Sequence, residues 1–339
     1  MKHLLIDIGS TNIKFAVSDG GALSETEKAP FPAPAVDDGV HFEVEISGIL
    51  AKIFAIADKT ESDDVFISTQ MHGYLLADSR SRPLTRYISW QDRRAAEAQV
   101  RLFVGKESGT SMKDNLPRAG VEAIRKEQPA LFAQAEEFFT LGSFVAHALT
   151  GRNVTHITDA AASGYYDVKR RISRPSELRL PEAEYAVRAA GTYQGRKVYA
   201  PFGDQQCAVL GAVGGEKCYI LNLGTAAQMC TVADGFAEGD FESRPYFGGK
   251  TLCTVTGLSG GKAIGDEEEP NLAERLAKEY AEALSKLPPR GELLITGGVT
   301  KYHEPLIRGV AERMGLPYRL NGGADALEGL NKLSEESEK

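Results

Sequence analysis

No stretch of this 339-residue chain stays apolar for the roughly 18–20 residues that a membrane-spanning helix needs. Its four cysteines (Cys207, Cys218, Cys230 and Cys253) lack CxxC spacing and sit in apolar, strand-like surroundings. That argues for reduced, buried thiols rather than disulfides or metal ligands. Positive charge is not in excess. The 39 Lys and Arg against 47 Asp and Glu leave a net charge of −8, which argues against a nucleic-acid backbone as the main partner. No export signal is expected either, since Met1-Lys2-His3 runs straight into Leu-Leu-Ile-Asp and not into a long apolar core. The expectation is a cytoplasmic protein with neither a membrane nor a nucleic acid as partner. One phosphate-bearing ligand remains compatible with this acidity, because a few backbone N–H groups can hold it locally.

A length of 339 residues suggests two domains, and 42% hydrophobic with 25% charged residues is ordinary for a globular chain. Residues 3–8 and 13–18 read as strands around a Gly/Asn turn, 44–57 as a helix and 64–69 as a strand. The stretch 119–149, including Phe138 and Phe139, reads as largely helical, with Pro129 opening a second helix. Near residue 200 the pattern starts again: a strand ending at Pro201 and Gly203, a small apolar helix, then a strand at 218–223 ending in Gly224-Thr225. That echo of the opening predicts a second domain with a related core. Beyond it come a helix at 271–287, a strand at 293–295 and a helix at 305–314. The segment 333–339 is expected to be a charged, frayed tail. Alternation of strands and helices in both halves makes this an α/β protein.

Four segments carry chemistry. In Asp7-Ile8-Gly9-Ser10-Thr11-Asn12-Ile13-Lys14 the turn can aim backbone N–H groups and two hydroxyls at a phosphate, and Asp7 can hold Mg²⁺ through water. Taken alone, an ordinary polar hairpin explains it equally well. Ser68-Thr69-Gln70-Met71-His72-Gly73 and Ile88-Ser89-Trp90-Gln91-Asp92-Arg93-Arg94 then gather the only Trp, an amide, an imidazole, a carboxylate and two guanidinia. Sugars need that mixture: an aromatic face for C–H surfaces and fixed polar groups for hydroxyls. A lone His or Trp would more often be core. In Gly203-Asp204-Gln205-Gln206 a carboxylate on a strand-to-helix turn can take a hydroxyl proton, although a simple helix N-cap is the plainer reading. Asn222-Leu223-Gly224-Thr225-Ala226-Ala227-Gln228 repeats the first turn. Leu294-Ile295-Thr296-Gly297-Gly298-Val299 lets a flat base or a phosphate approach the backbone.

The first segment resembles the phosphate loop of the actin-like ATPase superfamily, which includes sugar kinases, actin and the large heat-shock chaperones. Gln70-Met71-His72-Gly73 and the W-x-D-x-R pattern at Trp90, Asp92 and Arg94 narrow this, for they resemble the ketose members of the FGGY carbohydrate kinases. Glu127 to Phe132 and Leu149-Thr150-Gly151 followed by Thr158-Asp159-Ala160 resemble further elements of the same family. The resemblance implies two actin-like (ribonuclease H-like) domains around a ligand cleft: 1–200 for the sugar and 201–332 for the nucleotide. It implies Asp204 as general base, and Gln70, Met71, His72, Trp90, Asp92, Arg93, Asp159 and Gln205 as sugar contacts. ATP would meet Gly9, Ser10, Thr11, Asn12 and Lys14 on one side and Gly224, Thr225 and Ala226 on the other. Gly297, Gly298 and Asp325 would lie at the adenosine end, and Asp7 with Asp204 would hold Mg²⁺. The order G-D-Q-Q-C, L-N-L-G-T-A-A-Q and G-L-S-G-G-K looks most like the sedoheptulokinase branch. A homodimer is entertained as the assembly.

The chain departs from the family between Gly261 and Leu294, where relatives carry a long stretch with a Gly-Glu-Arg-x-Pro element and additional helices. Here there is one charged helix, preceded by Glu267-Glu268-Glu269, which is expected to face solvent because it would repel a triphosphate. A shortened second domain with a more open ATP site follows. Besides a ketose kinase, two readings compete: a sugar-binding regulator on a degenerate kinase fold, favoured by the shortening, and an actin-like or chaperone-like ATPase. Gln70 to His72 and Trp90 to Arg94 speak against the last.

Overall fold

A computed structural model describes residues 1–100, 116–213, 217–224, 226–265, 271–321 and 325–337, with only the backbone of Lys301. The runs Lys2–Ile8 and Asp64–Thr69 are apolar on both faces, as interior strands must be when helices cover each side. They pair in parallel, with Asp7 opposite Ser68. Asn12–Asp19 folds back antiparallel on the first strand, closing the turn between Ile8 and Ile13, and Glu27–Pro30 adds an outer antiparallel strand. Arg196–Tyr199 and Phe202–Gly203 extend the sheet in parallel beyond Asp64–Thr69. Helix Ile46–Lys59 covers one face with Ile46, Ile49, Ile53, Ile56 and Ala57, a stripe at three- and four-residue spacing.

The second half repeats this order except for Phe202–Gly203. Tyr219–Leu223 and Ala227–Ala233 form the hairpin, Thr251–Leu258 lies antiparallel outside it, and Leu293–Thr296 and Tyr318–Asn321 add in parallel on the other side. Leu272, Leu276, Tyr280 and Ala283 of helix Leu272–Ser285 cover this sheet. The expected internal repeat is thus a repeat of topology, two α/β units of the same wiring.

Between the sheets runs a linking helix, Asp204–Val213. Cys207 faces Leu5, Phe66 and Leu327, while Val209 and Val213 face Ile220, Cys230 and Leu294. The last helix, Ala326–Ser337, returns to the first sheet, and Leu327, Leu330 and Leu333 pack against Leu5 and Phe66. Two glycines permit the crossing of these helices. A Cβ on Gly329 would lie 2.6 Å from the Cys207 carbonyl carbon, and one on Gly211 would lie 2.6 Å from the Asp325 carbonyl oxygen. Lys332 Nζ also donates to the carbonyls of Leu210 and Gly211 at 3.0 and 2.9 Å, where a cation suits the helix C-terminus. Helix propensity alone favours Ala over Gly by about 1 kcal/mol. Backbone overlap works the other way by about 1–3 kcal/mol, and backbone cannot rotate aside. Gly329→Ala should therefore lower the midpoint of chemical denaturation, and a raised midpoint would show that the crossing has room to spare.

Two expectations are corrected. Phe138 and Phe139 lie in a strand, Glu137–Thr140, paired antiparallel with Tyr74–Ala77. Neighbouring strand residues point to opposite faces, so Phe138 packs on Tyr74 and Tyr165 while Phe139 packs on Phe144 and His147. The helix begins only at Leu141, behind a capping box made by Thr140 and Ser143. The supposed charged tail is helical as far as Ser337, because Leu333 and Ser334 are fully buried and hold it down. The three consecutive glutamates lie outside the described residues.

Candidate active site

In parallel α/β sheets ligands collect beyond the carboxyl ends of the strands. Asp7 and Gln70 stand at those ends in the first sheet, and Asp204 follows the short strand Phe202–Gly203 on the far side of Asp64–Thr69. Asn222 and Gly297 occupy the matching ends in the second sheet. All five line one open cavity of about 820 Å³ between the two sheets.

Asp204 begins the linking helix, and one oxygen accepts the Gln205 N–H at 2.7 Å. Desolvation, followed by the negative charge of Asp7, raises its pKa to about 7, against the pull of that hydrogen bond and of Arg244. Asp7 is itself buried, which raises it to about 6 although Lys14 and the Ser68 hydroxyl, at 2.8 Å, favour the anion. Lys14 Nζ reaches both walls, 4.0 Å from Asp7 and 3.4 Å from Asp325. Asp325 also raises Asp7, as Asp7 raises Asp204, and desolvated carboxylates gathered in one cavity fit a divalent cation. No group of three or more His, Cys, Asp or Glu could hold a metal among the described residues. Mg²⁺ does not need one, because it keeps most of its waters and takes one or two carboxylates beside the phosphates.

Of the other residues expected at the site, Ser10, Met71, His72, Trp90, Gln205 and Ala226 line the cavity, as does Gly298 beside Gly297. Gln70 is almost fully buried, and its Oε1 has no hydrogen-bond partner among the described residues, leaving an acceptor for a ligand hydroxyl. His72 holds a φ of +66°, uncommon for a residue with a Cβ and a frequent trait of ligand sites. Gly297, at φ +104°, has to be glycine, since a Cβ there would lie 2.7 Å from the Leu223 carbonyl carbon.

Other expected residues do not line the cavity. Gly9, Thr11 and Asn12 shape the turn that presents Ser10: the Gly9 N–H bonds the Asn12 carbonyl, and the Thr11 carbonyl accepts from Phe31. Gly224 plays the corresponding part, donating to the Ala226 carbonyl and accepting from Gly261. Thr225 lies outside the described residues. Asp159 sits behind the site, 2% exposed, where Thr140 and Thr155 donate to it at 2.6 and 2.8 Å and burial raises its pKa to about 6. Arg93 is exposed and Asp92 is already committed. Asp92 accepts from the Phe42 N–H at 2.9 Å and from Arg94 through its N–H and guanidinium, and Arg94 in turn bonds Glu43. That clamp fixes the loop from which Trp90 stands out, 45% exposed.

Sequence reasoning missed Lys28, Arg244 and Tyr302 and took Gln228 only as the end of the second turn; all four also line the cavity. Lys28 lies opposite Lys14 in the antiparallel register, so two cations enter the cleft from neighbouring strands. Arg244, part-buried on Glu242–Pro245 with its side chain 14% exposed, is pushed down to about 10 by desolvation and is held by Glu242 at 2.6 Å.

Residues 3–174, half of the chain, match the N-terminal domain of the FGGY family of carbohydrate kinases. Xylulose kinase of Bacillus subtilis (strain 168) is 23% identical over 286 residues, covering 73% of this chain and 56% of that protein. Xylulose kinase of Escherichia coli (strain K12) is 27% identical over 184 residues, covering 50% of this chain and 37% of that protein. The chain therefore spans about half the length of the curated relatives it matches. In fold it is similar to the crystal structure of ligand-bound xylulose kinase from Lactobacillus acidophilus, with a TM-score of 0.84 over 99% of this chain and 89% of that one, at 15% identity. The chain belongs to the FGGY family of carbohydrate kinases.

Proposed function

We propose that this protein is a cytoplasmic, ATP-dependent kinase that phosphorylates a hydroxyl of a ketose, of the xylulose or sedoheptulose type. The observation that carries this reading is the position of Asp204. It is a desolvated carboxylate beside Asp7, in a cavity walled by Gln70, His72 and Trp90 on one side and by the turns at Gly224 and Gly297 on the other. In this reading 1–200 is the sugar-binding domain and 201–332 the nucleotide-binding one, with Ala326–Ser337 packed back on the first sheet.

The sugar lies against the Trp90 face with hydroxyls toward Gln70 and His72. Asp204 takes the proton of the attacking hydroxyl as the oxygen bonds to the γ-phosphorus, and ADP leaves. Lys14 and Lys28 attract the phosphates, and the two glycine turns let them approach the backbone. Bound near Asp7 and Asp204, Mg²⁺ supplies charge neutralisation for the phosphate oxygens.

The test is ADP release with Mg-ATP across ketoses, aldoses and polyols. Turnover with one ketose, xylulose being the first to try, establishes the activity. Sugar binding with no turnover across the panel would instead support a regulator on a degenerate kinase fold.

A further inference from the structure

Gln205 follows Asp204 directly, yet both ends of its amide are occupied. The Arg244 guanidinium donates to its Oε1, and its Nε2 donates to Gln228 Oε1 at 2.7 Å. The direction of this chain is fixed by chemistry. A guanidinium has only donors, so the oxygen of Gln205 must face Arg244. The nitrogen of Gln205 then faces Gln228 and takes up that side chain's oxygen. Arg244 cannot swing away, because its Nε and Nη2 bond Glu242 Oε2 at 3.1 and 2.6 Å. Gln228 thus ends the chain with its Nε2–H₂ group, which bonds no described residue, on the wall of the cavity that holds Asp204.

We infer that Gln228 is a specificity-determining residue that donates Nε2–H to an acceptor oxygen of the substrate, a hydroxyl or carbonyl oxygen next to the hydroxyl facing Asp204. Arg244, acting through Gln205, is the positioning residue that fixes which end of the Gln228 amide meets the ligand. The inference rests on the sugar-kinase reading above and adds the polarity of one subsite. Asp204 requires a donor from the substrate and Gln228 requires an acceptor. A polyol or ketose presenting both on adjacent carbons satisfies the pair, whereas an analogue lacking the second oxygen leaves a polar group unpaired.

Two near-isosteric variants test this. Gln228→Glu still accepts from Gln205 but replaces the donor with an acceptor, so sugar KM should rise at least about tenfold, with KM for ATP and thermal midpoint unchanged. Gln205→Glu keeps and strengthens the contact with Arg244 but no longer donates to Gln228, which becomes free to turn, so sugar KM should rise in the same sense. A purely structural role for Arg244 predicts no such rise. Sugar affinity is read in parallel from the fluorescence of Trp90, the only tryptophan. If the wild type turns over a sugar and both variants keep its KM, the inference fails and the kinase reading stands. If the wild type neither turns over nor binds any sugar, both fall together.

Discussion

Asparagine in place of Asp204 is expected to lower sugar-dependent ADP release by about 10²–10⁴-fold, the range over which a positioned general base acts. Sugar binding should be nearly unchanged, because the amide keeps the oxygen that accepts from Gln205. The pH profile supplies a second, independent reading. A base works only when ionised, and desolvation together with Asp7 raises Asp204 to about 7. The kcat/KM for sugar should therefore fall as pH drops through about 7. Asp7→Asn removes the negative charge that raises Asp204, so its residual activity should carry the acid limb at lower pH. An acid limb that stays in place in Asp7→Asn, or an Asp204→Asn enzyme with wild-type turnover, removes the proposed base.

The same carboxylate bears on stability. Unfolded, it ionises at its ordinary value of 3.8, and folded at about 7, so between these values the folded state binds more protons. This group's contribution to stability is greatest below the unfolded value and is lost as pH rises through the folded one. Wild type should thus lose thermal stability relative to Asp204→Asn between about pH 4 and pH 7.

What the sequence revealed and what it hid divide on physical lines. Strand-turn-strand segments were legible wherever a single local pattern carried them: Leu4 to Asn12, and again Tyr219 to Ala227, pair with their immediate neighbours in the chain. The helix at Ile46 was legible from its apolar stripe. Phe138 and Phe139 misled because a short apolar run reads equally as helix or strand, and only the partner strand at Tyr74 decides. In the site, Asp7, Gln70 and Asp204 end strands and could be placed by motif. Arg244 could not, since its partner Gln205 lies 39 positions away and nothing local marks an arginine that will reach the cleft. Lys28 sits in a four-residue strand whose sequence, Glu-Lys-Ala-Pro, carries no β signal, and only the register with Lys14 brings it to the cleft. Nothing local marks the glycines at 211 and 329, whose work is to let two helices cross.

Asp92 separates the two kinds of information most sharply, and Asp92→Ala is expected to destabilise the protein by about 3–5 kcal/mol, as removal of one member of a buried ion pair does. Motif position makes Asp92 a sugar ligand, and geometry makes it a clamp. Its side chain and that of Arg94 are each 4% exposed, and two backbone N–H groups, at Phe42 and Arg94, also rely on its oxygens. Burial alone would disfavour the Arg94 charge, and the Asp92 hydrogen bonds overcome this and hold it above its usual range. Truncating Asp92 leaves that cation with Glu43 alone and strands both N–H groups. The loop carrying Trp90 should loosen, so emission from this single tryptophan should shift to the red and sugar KM should rise as a consequence. Asp92→Asn keeps an oxygen for Phe42 and should recover part of the stability. A sugar ligand makes the opposite prediction: KM rises in both variants while the unfolding midpoint and the Trp90 emission stay at wild-type values. Denaturation followed by that fluorescence therefore decides between ligand and clamp in one titration.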